Sequence, residues 1–285
     1  MIRKSYFHPK SNMFQRIFHL FTGKLNYSQM KPTTDHEEIV IETHLAENAD
    51  PNLGDPDKYY EFHESVQIPF LNELYIQIFG KKNDGICVEV GAYDGKTCSN
   101  SFGLAKRGWR CFLIEPIEEF AAIATAEHEE LGNVRVFNLA MHSSITDLIL
   151  YVAGPLTTSS TELYSEYERL DWSKQNLPET PLERSVKADT LNNFIATHLP
   201  GENIDVLIID VEGSEFEVMQ GFDLNLHKPK MVIIELPDFH PDLNYRKDVA
   251  RSIFLYFISN GYLVVYKDAI NTCFLSMEAW MALES

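Results

Sequence analysis

Between Ile86 and Ser101 the chain reads Ile-Cys-Val-Glu-Val-Gly-Ala-Tyr-Asp-Gly-Lys-Thr-Cys-Ser-Asn-Ser. Ile86, Cys87, Val88 and Val90 form a short apolar run, the pattern of a strand buried on both faces. The run breaks at Gly91 and Gly95, where the strand must turn sharply and the backbone can approach another group closely. A strand buried on both faces needs cover on both faces. The rest of the chain supplies it, because apolar strand patterns alternate with helical ones almost to the end. That alternation predicts a mostly parallel sheet with helices on both sides.

The predicted order is as follows. A helix spans Lys58 to Phe79, with Tyr59, Phe62, Val66, Phe70, Leu74 and Ile78 as its apolar stripe and a kink at Pro69. After the strand at Ile86 comes a helix from Thr97 to Lys106, then a strand from Arg110 to Ile114. Pro116 opens a helix that carries Glu118 and Glu119 in its first turn and runs to Glu130. Val134 to Leu139 is the third strand, and Leu148 to Val152 returns as an antiparallel edge. Gly154 to Arg184 lacks a clear period and reads as a lid, a binding loop or a set of short helices. Asp189 caps a helix through His198, and Val206 to Ile209 is a buried strand. Ser214 and Glu217 have the spacing of a capping box for the next helix. Met231 to Ile234, a helix from Tyr245 to Asn260, and strands at Tyr262 to Tyr266 and Thr272 to Met277 complete the pattern.

Composition sets outer limits. The chain has 285 residues, is 45% hydrophobic and carries a net charge of −18. That is enough apolar material for a large core, and the acidic balance argues against a phosphate-tracking nucleic-acid binder. Cys87, Cys98, Cys111 and Cys273 show no Cys-x-x-Cys spacing and read as buried reduced thiols of a cytoplasmic protein. No apolar run is long enough for a membrane span. Residues 1–57 divide from the domain expected at 58–285. Met1 to Lys31 holds six basic and no acidic residues, with Met13, Phe14, Ile17, Phe18, Leu20 and Phe21 on one helical face, and an acidic linker follows. Such an arm fits weak contact with a membrane or partner, a targeting segment, or an arm packed on its own domain.

In a sheet of this kind ligands bind at the carboxyl ends of the strands. The polar residues there are Glu89, Asp94, Glu115, Asn138 to His142, Asp210 and Glu235. The turn spacing is Glu-x-Gly-x-x-x-Gly, not the Gly-x-Gly-x-x-Gly of dinucleotide sites. Glu89 and Asp94 place negative charge where a pyrophosphate would be repelled and a cationic amino-acid head attracted. S-adenosylmethionine, with its sulfonium and ammonium groups, is such a ligand. Glu115 lies about twenty residues beyond the turn, where an acid can accept both hydroxyls of a ribose. Asp210 is a candidate to orient the ligand, accept a proton or hold a metal, and also simply to satisfy backbone N–H groups. Glu212, Glu215 and Glu235 are oxygen ligands that can join it, although acids at this spacing also suit a helix N-terminus, and no metal is expected. His240, between Pro237 and Pro241, has the ordinary pKa of a general base.

At these residues the chain resembles the FkbM family of S-adenosylmethionine-dependent methyltransferases. The resemblance rests on Val88-Glu89-Val90-Gly91-Ala92-Tyr93-Asp94-Gly95, Ile114-Glu115-Pro116 and Ile209-Asp210-Val211-Glu212-Gly213-Ser214-Glu215. Val186 to Leu191 and Ile234-Glu235 also fit, so that it covers about Gly85 to Phe274. It implies an α/β class I methyltransferase (Rossmann-like) fold, a mostly parallel seven-stranded sheet whose last strand is antiparallel, plus an N-terminal extension. It implies Glu89, Gly91, Ala92, Tyr93, Asp94 and Gly95 around the methionine part of S-adenosylmethionine, Glu115 and Pro116 at the ribose, and Asn138 and Ala140 at the adenine. Asp210 falls beside the transferred methyl, with Asp210 or His240 as the catalytic base. The implied reaction is O-methylation of a hydroxyl on a sugar, glycan or secondary metabolite. Three other readings stay open: a non-catalytic S-adenosylmethionine-binding module, an NAD-dependent oxidoreductase, and a membrane-associated enzyme acting on lipid-linked glycans.

Overall fold

The computed structural model describes residues 67–68 and 71–283. The basic arm, the acidic linker and the first part of the long helix expected from Lys58, including its kink at Pro69, lie outside the described residues. Its last part is helix α1, Leu71–Phe79. There follow β1 (Ile86–Val90), α2 (Phe102–Lys106), β2 (Arg110–Ile114), α3 (Glu118–Glu127), β3 (Val134–Phe137), β4 (Ala140–Met141), β5 (Thr146–Val152) and α4 (Thr161–Tyr167). Then come β6 (Leu182–Asp189), α5 (Leu191–His198), β7 (Val206–Ile209), α6 (Glu215–Gln220), α7 (Leu224–His227) and β8 (Met231–Glu235). The chain continues through α8 (Lys247–Ser259), β9 (Tyr262–Lys267), β10 (Asn271–Ser276) and α9 (Met277–Leu283).

Among the described residues the main sheet has seven strands in the order β3-β2-β1-β7-β8-β10-β9, with β10 antiparallel to both its neighbours. This is the arrangement that the resemblance implies. The most apolar strands, β1, β7 and β8, lie in the middle and are buried throughout. Alternation along each of them sends side chains to two cores. Val88, Val90, Leu207, Ile209 and Ile234 pack with α5, α6 and α8 on one face. Cys87, Ile208 and Ile233 pack with α1 and α2 on the other. Three cysteines are buried and unpaired as expected, whereas Cys98 is exposed. Among the described residues no helix is long and apolar enough to cross a membrane.

Several local expectations are corrected. The helix predicted from Thr97 begins only at Phe102, because the preceding residues fold back over Glu89 and take Ser101 Oγ away from capping. The third strand stops at Phe137. Leu148 to Val152 is not an edge of the main sheet. As part of β5 it pairs antiparallel with β6 in a separate three-stranded sheet, β4-β6-β5. β6, inside and after the aperiodic segment, carries no strand signal in the sequence, since its mostly polar, exposed side chains give no buried period. Thr190, not Asp189, caps α5 through the Asn193 N–H. The capping box at Ser214 does not form: Ser214 Oγ pairs with Ser159 Oγ at 2.6 Å, and Glu217 meets Arg246 at 2.7 Å.

The three central strands are also pinned at their starts. Asp205, just before β7, accepts the Ile86 N–H at 3.0 Å and faces Lys230 at 2.8 Å and Lys82 at 3.4 Å. Its own backbone bonds to Ile86 O and to Met231 N. Removing this carboxylate leaves a buried N–H without its acceptor and takes away the counter-charge facing two ammonium groups. We expect Asp205→Ala to lower stability by about 2–4 kcal/mol and Asp205→Asn, which keeps the acceptor, by clearly less, as read by chemical denaturation.

Candidate active site

The carboxyl ends of β1, β2, β7 and β8 converge on one edge of the sheet. Gly91 leaves β1 with φ 87°, and an added Cβ there would lie 1.6 Å from the Asp210 carbonyl oxygen. Only glycine allows the turn after β1 to rest directly on the end of β7. The Gly91 and Ala92 N–H groups both donate to Ile114 O, at 2.9 and 3.1 Å, which fixes the same turn to β2.

Glu115 then holds the turn from beyond β2. Its carboxylate accepts the Tyr93 N–H at 2.9 Å and the Ile117 N–H at 2.8 Å. Burial pushes this carboxyl up to about 7, against the pull of those two donors. Tyr93 sits in the left-handed region at φ 47°, its ring edge-on to Phe120. Asp94 accepts the Lys96 and Thr97 N–H groups and the Thr97 hydroxyl, which closes the exposed tip of the turn. At Gly95, φ 76°, an added Cβ would meet Ala124 and His128 at 3.0 and 3.1 Å. Asn138 Nδ2 donates to the carbonyls of Glu115 and Pro116, and Ala140 is buried within β4 opposite Ala188.

Glu89 points from β1 to the opposite face from Val88 and Val90. It is buried and accepts from the Ser99 hydroxyl, the Asn100 N–H and the Ser101 hydroxyl, at 3.0, 3.0 and 2.6 Å. No helix N-terminus reaches the glycine turn, because α2 starts seven residues beyond Gly95, at Phe102. A pyrophosphate would find no helix dipole there.

A second group of acids gathers at the ends of β7 and β8. Ligand oxygens of Asp210, Glu212 and Glu235 all lie within 4.8 Å of one another. Glu212 is held at φ 51°, a conformation strained for a residue with a side chain. Tyr167 O–H donates to its carboxylate and Thr158 O–H to its carbonyl. Glu215 accepts the Val211 and Gly213 N–H groups at 3.3 and 3.1 Å. Burial raises the pKa of all four carboxyls, Glu215 to about 7, and their mutual charges add to the rise for Glu212, Glu215 and Glu235. A cavity of about 20 Å³ lies beside Glu212 and Glu235, walled by Tyr167, Tyr245 and Pro237. Tyr167 comes from the segment that has no readable period, and no sequence signal marks it.

His240 stands apart from this group. Its Nδ1 accepts the Asp242 and Leu243 N–H groups, both at 3.1 Å, so the neutral ring carries its proton on Nε2. Its ring faces Trp172 and does not line the cavity.

Residues 89–264 match the family described as the methyltransferase FkbM domain. The chain belongs to this family. S-adenosylmethionine is accordingly its cofactor. Comparison with curated proteins gives no match. Among solved structures, the methyltransferase FkbM from Methylobacillus flagellatus is 14% identical with a TM-score of 0.43, over 77% of this chain and 50% of that one. The chain thus spans half the length of that protein. The O-methyltransferase TomG from Streptomyces achromogenes, which is involved in tomaymycin synthesis and was solved with S-adenosylmethionine, is 14% identical with a TM-score of 0.42. The match covers 80% of this chain and 90% of TomG. An O-methyltransferase from Bacillus cereus, in complex with S-adenosylhomocysteine, is 13% identical with a TM-score of 0.38, over 94% and 92% of the two chains.

The Glu89 carboxyl yields a pH test. Burial raises it from 4.5 to about 7, against the pull of Ser101, Ser99 and Asn100. The folded state therefore holds this proton at pH values where the unfolded chain has released it. Its contribution to stability is full below pH 4.5 and is lost as pH rises through about 7, by about 3 kcal/mol at most. Glu89→Gln keeps the shape and removes the titration. Relative to wild type, the variant should gain stability between pH 5 and pH 8 in denaturant titrations, and a difference constant over that range contradicts the assignment.

Proposed function

We propose that the chain is an S-adenosylmethionine-dependent O-methyltransferase acting on a hydroxyl of a sugar, glycan or secondary metabolite. The observation that carries the reading is the fixed triad of strand ends: a glycine turn seated on Asp210, Glu115 braced by the turn, and unpaired acids beside them. Among the described residues none of Asp210, Glu212, Glu215 and Glu235 has an ion pair with a lysine, arginine or histidine. A cationic ligand suits that edge, and a dinucleotide does not.

The residues fit the cofactor by chemistry. Each oxygen of Glu115 takes one backbone N–H and keeps lone-pair capacity for a ribose hydroxyl. Gly91 to Gly95 face the methionine part, with Ala92 and Tyr93 between them. Glu89 sets the loop at 99–101 rather than offering a free carboxylate. Pro116, Asn138 and Ala140 border the adenine side. When bound, S-adenosylmethionine supplies a methyl group already activated by a positively charged sulfur. The chain then needs to align the acceptor, exclude water and take a proton from the attacking hydroxyl. Asp210 is the base in this reading. His240 is not, because its free nitrogen is spent on two backbone N–H groups. Tyr167, Leu243 and Tyr245 close the acceptor side. The domain boundary near residue 58 belongs to the same reading.

Calorimetric titration with S-adenosylhomocysteine tests it. Wild type should bind in the micromolar range. Glu115→Gln should bind at least about tenfold more weakly, the loss of one charge-assisted hydrogen bond or more. No binding by folded wild-type protein removes the methyltransferase reading.

A further inference from the structure

The acids at the ends of β7 and β8 are too poorly compensated to serve structure alone. Glu89 and Glu115 show how this protein satisfies a buried carboxylate, with three and two N–H or O–H donors respectively. Glu235 receives none. It is 8% exposed, and among the described residues no amide, hydroxyl or ammonium group donates to its side chain. Its one hydrogen-bond partner there is another acid, the carboxyl of Asp210, with the charges of Glu212 and Glu215 close by. A nine-tenths buried carboxyl whose only partner is a second acid, with a third beside them, can shed its repulsion by taking up protons or by binding a positive charge from outside the chain.

The spacing suits a cation. Opposite oxygen ligands on one ion lie about 4.2 Å apart for Mg²⁺ and about 4.8 Å for Ca²⁺. The three donor oxygens lie within 4.8 Å of one another. The neighbouring cavity of about 20 Å³ has room for about one water, which allows a coordination sphere to extend beyond the protein oxygens. Tyr167, which donates to Glu212, fixes that carboxylate in place.

We propose that Asp210, Glu212 and Glu235 bind one divalent cation of the hard, oxygen-preferring class, with positions left open for oxygens of the acceptor. The assignment rests on the methyltransferase reading only for what fills those open positions. A cation here would polarise an acceptor hydroxyl and favour loss of its proton to the Asp210 oxygen that does not ligate the ion. It also gives Glu212 a reason to be held in a strained conformation.

The test uses the full chain and MnCl₂, with bound Mn²⁺ read by electron paramagnetic resonance. Wild type should bind one equivalent, displaceable by Mg²⁺. Glu235→Gln and Asp210→Asn should each weaken binding at least tenfold, while Glu129→Gln, an exposed acid elsewhere, should not. Metal should raise the Tm of wild type and leave that of the two site variants unchanged. Because Glu235→Gln replaces one member of a mutually repelling acid group by a neutral amide that can still hydrogen-bond Asp210, its metal-free Tm should equal or exceed that of wild type. Absence of saturable Mn²⁺ binding, or binding unchanged in both site variants, overturns the proposal. S-adenosylhomocysteine titration of the same samples separates the two readings. Retained binding of that ligand without Mn²⁺ overturns the metal site alone. Mn²⁺ binding without it supports the metal site and overturns the cofactor reading.

Discussion

The close approach of Gly91 to the Asp210 carbonyl brings two functional segments into one place, although they lie far apart in the sequence. The contact works because β1 is the central strand, parallel to β2 on one side and β7 on the other. The turn leaving β1 therefore has a neighbour on each flank. Ile114 O takes its N–H groups on one, and Asp210 meets its missing side chain on the other. Glu115 then fastens Tyr93, so the turn has no freedom left to move away from either strand. Any residue larger than glycine at 91 must push β7 or the turn out of register, and the cofactor edge goes with it.

The same edge holds buried carboxylates in two different regimes. Glu89 and Glu115 lie among donors, so they organise backbone. Asp210, Glu212 and Glu235 lie chiefly among one another, and among the described residues Tyr167 is the one hydroxyl or N–H group that donates to their side chains. A low-dielectric setting magnifies both the satisfied and the unsatisfied case. The division of labour follows: the first pair shapes the pocket, and the second group waits for charge from outside the chain.

The central sheet could be read from the sequence because its information is local. Apolar runs at Val206 to Ile209 and Met231 to Ile234 are buried whatever surrounds them, and the glycine turn has a spacing of its own. Glu115 was placed by its distance from that turn. The rest depended on distant partners. Ser214 would cap α6 if Ser159 were not beside it, and Ser101 would cap α2 if Glu89 did not need its hydroxyl. β6 is amphipathic only toward β4 and β5, with Ala188 its one buried side chain, so it offers no stripe to detect. Tyr167 enters the site from a helix with no periodic context. His240 shows the same dependence on context: its residue type suggests a base, and only the loop backbone reveals that Nδ1 is occupied.

The residues between β5 and β6 have one more property. Val152 and Leu182 are paired across the antiparallel ladder, so residues 153–181 leave and rejoin the structure at adjacent points. A loop of this kind can grow or shrink with little penalty, about 0.6 kcal/mol per doubling of length. It carries Tyr167 and one wall of the cavity beside Glu212 and Glu235, while Gly91, Glu115 and Asp210 lie on the sheet outside it. In the methyltransferase reading proposed above, this places substrate preference in an exchangeable cassette. Evolution or design can replace it whole, trading one acceptor for another, without disturbing a single hydrogen bond of the cofactor turn.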